Sequence, residues 1–87
     1  MEKRTDSDLL FSYLERGECK QLLNDDRGAI QDFDKEIGQK PMFSSPFLLR
    51  GISKYNLNDV DGACSDWSKG GELGEGEVYK YIGKYCR

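Results

Sequence analysis

Sliding the chain along itself by 34 positions brings two stretches into register without a gap. Arg16-Gly17 meets Arg50-Gly51, Lys20 meets Lys54, and Leu23-Asn24-Asp25 meets Leu57-Asn58-Asp59. Further on, Gly28-Ala29 meets Gly62-Ala63, Asp32 meets Asp66, Phe33 meets Trp67 and Lys35 meets Lys69. A repeat of this length implies one supersecondary unit used twice, each copy burying its apolar face against the next.

The periodicity inside each unit is helical. In the first unit, apolar residues at 10, 13 and 14 and then at 22 and 23 mark one helix face, and Ala29, Ile30, Phe33 and Ile37 mark another at spacings of three and four. The second unit does the same with Phe47, Leu48 and Ile52, then Ala63, Cys64 and Trp67. Leu-Asn-Asp separates the two helices of each unit. Asn adopts the left-handed conformation that ends a helix, and the following Asp caps the next one. Lys40-Pro41 closes the first hairpin, and Ser44-Ser45-Pro46 opens the second with a serine cap and a first-turn proline. The expectation is an all-α chain of five helices at about 8–23, 26–38, 46–57, 60–70 and 76–86, after a disordered segment over residues 1–7.

Gly17 and Gly51 fall inside helices, where glycine costs roughly 1 kcal/mol relative to alanine. Close approach of a second helix is a reason to keep them, with Phe33 and Trp67 filling the wider part of each hairpin. Gly70-Gly71 should weaken the end of the fourth helix. Arg50 is expected to reach Asp32 or Asp66, because a guanidinium–carboxylate pair suits a partly buried contact between helices.

Several function classes are disfavoured. The net charge is −3 and the lysines and arginines lie scattered among carboxylates, so no basic stripe exists for a phosphate backbone and no nucleic-acid partner is expected. No apolar run is long enough to span a bilayer, so no membrane partner is expected, and the N-terminus lacks the apolar core of a signal peptide. Three cysteines at wide spacing (Cys19, Cys64 and Cys86) make no disulfide framework and read as small, buried or half-buried thiols. That points to a reducing, cytoplasmic setting, or to export if a signal sequence was removed. With no histidine to act as base, cysteine catalysis is disfavoured. Asp25-Asp26 suits a helix start and Asp32-Asp34 a solvated face, so no catalytic residue, metal ligand or cofactor is assigned. "GGELGEG" follows a helix, where a phosphate-binding loop would follow a strand.

These residues resemble the tetratricopeptide repeat. Counting from Leu10, the family's fourth, eighth, twentieth, twenty-fourth and thirty-second positions hold Tyr13, Gly17, Ala29, Phe33 and Pro41; counting from Ser44, the first four hold Phe47, Gly51, Ala63 and Trp67. The segments "RGECKQLLNDDRGAIQDFDK" and "RGISKYNLNDVDGACSDWSK" are similar to a bacterial subtype of the repeat. The resemblance implies a tetratricopeptide-like α-α superhelix over residues 8–86: repeat 1 at about 10–43, repeat 2 at about 44–77 and a capping helix at about 76–86. Departures fall at Glu36 and Gly70, where the family has alanine, at Glu75, where it has proline, and at Asp26 and Val60, where it is often aromatic.

For such a scaffold the resemblance implies a concave face, lined by the first helix of each hairpin, that holds a partner protein or peptide. The family's groove positions correspond to Phe11, Leu14, Glu18 and Gln21 in the first unit, Ser45, Leu48, Ile52 and Tyr55 in the second, and Tyr79 and Ile82 in the last helix. The basic clamp by which some members hold a terminal carboxylate is missing, since its positions are Leu14, Glu18, Leu49, Tyr79 and Gly83. The alternative function is architectural, a homo-oligomer or a unit of a longer scaffold, using the same strip.

Overall fold

The computed structural model describes residues 11–86. Among them are five helices: α1 (Tyr13–Leu22), α2 (Asp26–Gln39), α3 (Ser45–Asn56), α4 (Val60–Glu72) and α5 (Val78–Tyr85). α1 packs on α2 and α3 on α4 as hairpins; α2 packs on α3, and α5 closes on α4. The disordered segment expected over residues 1–7 lies outside the described residues, as does Leu10.

Local chemistry sets the boundaries. α1 starts at Tyr13 because Ser12 and Glu15 cap each other: Ser12 Oγ accepts from the Glu15 amide at 3.2 Å, and Glu15 Oε1 accepts from the Ser12 amide at 3.0 Å. Asn24 and Asn58 take φ of 65° and 69°. The amides of Asp25 and Asp59 then reach back to the carbonyls of Lys20 and Lys54 at 2.8 Å, satisfying acceptors that a helix end would leave free. The same two aspartates cap the next helices, accepting from Gly28 and Gly62 amides at 3.0 and 2.9 Å. One Leu-Asn-Asp thus ends a helix and begins the next.

The second unit departs from expectation at its end. α4 runs through Gly70-Gly71 to Glu72, and the chain turns only at Gly74, with φ of 104°. Gly70 is needed for packing: a Cβ there would stand 3.3 Å from Val78 and 3.4 Å from Phe47, so the glycine lets α3 and α5 approach α4 together. α5 begins at Val78, two residues beyond glycine at position 76.

Phe33 and Trp67 are buried opposite the two mid-helix glycines; a Cβ on Gly17 would lie 2.6 Å from the Phe33 ring, and one on Gly51 would overlap Trp67 Nε1. Trp67 Nε1 donates to the Leu48 carbonyl at 3.1 Å, which meets the polar need of a buried indole. Two sequence expectations fail here. Leu22 and Leu23 do not join the apolar face of α1; at the hairpin tip they are 83% and 79% exposed. Asp32 is not on a solvated face but only 1% exposed, between Arg16 and Lys20.

The cysteines give the largest correction. Cys64 on α4 and Cys86, at the end of α5, form a disulfide, while Cys19 is an exposed thiol. The pair is 22 residues apart. It meets only because α5 folds back on α4, a tertiary event that cysteine spacing does not encode. A disulfide is at odds with the reducing setting expected from the sequence, since such bonds persist mainly in oxidising compartments. Among the described residues no helix is long and apolar enough to cross a membrane.

Candidate protein-docking face

The two hairpins meet through polar groups. Gln21 on α1 donates from Nε2 to the Leu49 carbonyl at 2.8 Å and to Ser53 Oγ at 2.7 Å; buried Ser53 in turn donates to Asp26 Oδ1 at 2.7 Å. Arg50 spans the same seam. Its Nε and Nη2 donate to Asp66 at 2.8 and 2.7 Å, and its Nη1 donates to Asp34 of the preceding hairpin at 2.8 Å. The expected Arg50–Asp66 pair forms, whereas Asp32 is taken by Arg16, whose Nη2 lies 2.9 Å from Asp32 Oδ1. Hydrogen bonding to Asp66 raises the Arg50 pKa above the usual guanidinium value against the opposing effect of burial. It is a fixed cation. For Asp32, burial is the largest influence and favours the neutral acid. The hydrogen bonds from Arg16 and Lys20 and their charges together outweigh it, and hold the carboxyl below its ordinary value.

The second hairpin meets α5 through apolar groups. Val78, Tyr81, Ile82 and Tyr85, spaced as one helix face, join the cluster of Ala63 and Trp67. The Tyr81 ring stacks on Trp67 with centroids 5.2 Å apart, and Tyr85 lies 4.4 Å from the Tyr55 ring.

The candidate residues divide against this frame. Leu48, Ile52 and Tyr55 on α3 and Ile82 on α5 are half-buried and come together around the Ala63–Trp67–Val78 cluster. Each therefore contributes to the core while keeping part of its surface outward. Leu14 is half-buried on α1 and Glu18 is exposed. By the 34-residue register they correspond to Leu48 and Ile52, so they share a side of the stack. Gln21, expected on a polar rim, ties α1 to α3. The Ser45 hydroxyl lies 3.5 Å from Glu75 Oε1. Phe11 precedes α1 at 44% exposure, and Tyr79 is 60% exposed beside Gly71, on the side of α5 away from Tyr81. The structure does not bring these two to the α3 strip.

Sequence reasoning missed Tyr81, Tyr85 and Trp67 as one aromatic group. The signal was present as the spacing of 78, 81, 82 and 85. It also placed the exposed tips Leu22 and Leu23 on an apolar helix face and passed over Met42, which is 75% exposed. Compared with protein-family models, with curated proteins and with solved structures, the chain finds no match.

Proposed function

We propose that the chain is a tetratricopeptide-type module that binds a helix or extended segment of a partner protein along α1 and α3. The observation that carries this reading is that Leu14 on α1 and its register equivalent Leu48 on α3, with Ile52 and Tyr55 further along α3, are all half-exposed. Apolar side chains held at fixed spacing and open on one side favour recognition through a ligand's own apolar residues. Exposed Glu18 supplies a charge at the edge of the row. The missing basic clamp disfavours recognition of a terminal carboxylate.

A test selects binding peptides from a random library displayed on phage, using the oxidised chain as bait. Leu14→Glu should abolish binding of the selected peptides with helicity unchanged, while Lys69→Glu, on an exposed part of α4, should leave it intact. Peptides that bind both variants equally would place recognition elsewhere.

A further inference from the structure

We propose that the two ends of the stack are complementary docking surfaces, and that the outer face of α5 in one copy of the chain seats, head to tail, on the outer face of α1 in a second copy. The inference does not rest on the α1–α3 reading, because the contact lies outside the row of Leu14, Leu48, Ile52 and Tyr55.

The α1 face consists of Glu15, Glu18, Cys19 and Leu22, all exposed. Their spacing of i, i+3, i+4 and i+7 sets them on one side of the helix. Gly17, buried against Phe33, marks the opposite side. In the 34-residue register Glu15, Cys19 and Leu22 correspond to Leu49, Ser53 and Asn56 of α3. There the preceding hairpin holds the face: Gln21 donates to the Leu49 carbonyl and to Ser53 Oγ, and Asp26 Oδ1 accepts from Ser53 and Asn56. The α1 face is therefore the open counterpart of the seam between hairpins, a kind of surface that this chain already joins once.

The complementary surface is at the other end. α5 turns Val78, Tyr81, Ile82 and Tyr85 toward the second hairpin and leaves Lys80, Gly83 and Lys84 exposed on the opposite side. A Cβ on Gly83 would meet nothing within 4 Å, so between the two lysines the α5 backbone is open to close approach of a second helix. Charge selects the occupant. The α1 face presents two carboxylates and the α5 face two ammonium groups. Lys80 shares Glu77 at 3.0 Å, but both side chains are exposed, and such a pair is readily exchanged. Two α1 faces repel, as do two α5 faces, whereas unlike ends attract. Leu22, 83% exposed, and Tyr79, 60% exposed on the flank of the α5 face, add apolar contact. A contact between unlike faces leaves one face free at each end, so association continues beyond the dimer.

The experiment is sedimentation velocity of the full chain at rising concentration. At low salt the average mass should climb past two copies, and at about 1 M salt it should return to the monomer, because exposed charges are then screened. Glu18→Lys and the double variant Lys80→Glu/Lys84→Glu should each weaken association about tenfold, the loss expected from a few exposed ion pairs. An equimolar mixture of the two should restore it, since each then offers the face that the other needs. Gly83→Cys locates the contact: mild oxidation should link the new thiol to Cys19 of a second copy, whereas Gly38→Cys on α2, where a Cβ likewise meets nothing, should give no such link. A monomer at every concentration, a mass that stops at two copies, no recovery in the mixture, or equal linkage from positions 83 and 38 would each overturn the proposal. The phage selection above reads peptide capture and its loss in Leu14→Glu, so either proposal can fail alone.

Discussion

Arg50 Nη1 lies 2.8 Å from Asp34 Oδ1, a charged contact that crosses from the second hairpin to the first. The same guanidinium holds Asp66 within its own hairpin, and the two contacts differ in worth. The Asp34 side chain is 55% exposed, so Asp34→Asn should cost no more than about 1 kcal/mol, the usual range for solvated pairs.

Arg50→Ala should cost more. It strands the buried Asp66 carboxylate, and breaking a buried pair costs about 3–5 kcal/mol. Lys54 remains 3.2 Å from Asp66, which argues for the low end, about 3 kcal/mol. Urea titration of the two variants checks the difference. A cost for Asp34→Asn equal to that for Arg50→Ala would show that the seam between hairpins is the principal contact.

Asp32 gives the chain an acid-sensitive element. Its folded pKa is below the unfolded value, so between the two the unfolded chain binds the extra proton, and stability rises with pH. The contribution is complete above the ordinary aspartate value and disappears as pH falls through the lowered one. Thermal melts across acid pH should show a steep loss in the wild-type chain, and Asp32→Asn should flatten that limb.

Gly51→Ala sets helix propensity against packing. Alanine gains up to about 1 kcal/mol in a helix. Its Cβ would overlap the Trp67 ring, which is enclosed and cannot withdraw, and overpacking costs about 1–3 kcal/mol. The net effect should be destabilising. Gly38→Ala in α2 is the opposite case, because a Cβ there meets nothing within 4 Å, and the substitution should stabilise by about 0.5–1 kcal/mol. Denaturant midpoints with unchanged slopes would confirm both signs.

Replacing both Cys64 and Cys86 by serine should lower stability by about 3 kcal/mol, the loop-closure value for a span of this order. Helical circular dichroism should persist, since α1, α2 and α4 keep their side-chain caps and Phe33 and Trp67 stay buried opposite Gly17 and Gly51. A collapse of the whole spectrum would show that α5 is integral to both hairpins.

Local and periodic features were legible in the chain itself. The 34-residue register, the Asn24 and Asn58 stops, the Asp25 and Asp59 caps, and the facing of Gly17 by Phe33 and Gly51 by Trp67 all follow from short-range backbone chemistry and helix spacing. The groove candidates were legible only as positions. Leu48, Ile52 and Tyr55 pack around Ala63, Trp67 and Val78, a placement that depends on where α4 and α5 lie. The buried state of Asp32, the exposure of Leu22 and Leu23, and the use of Gln21 as a tie between α1 and α3 likewise depend on neighbouring helices.

By itself, then, the sequence determined two like hairpins and a terminal amphipathic helix, because capping, glycine placement and apolar periodicity act within a few residues of one another. Tertiary structure alone decided that Cys64 meets Cys86 and that Tyr81 and Tyr85 close over Trp67 and Tyr55. Those contacts form only when the chain turns at Gly74 and lays α5 back on α4, and the direction of that return is set by packing against Gly70 and Trp67.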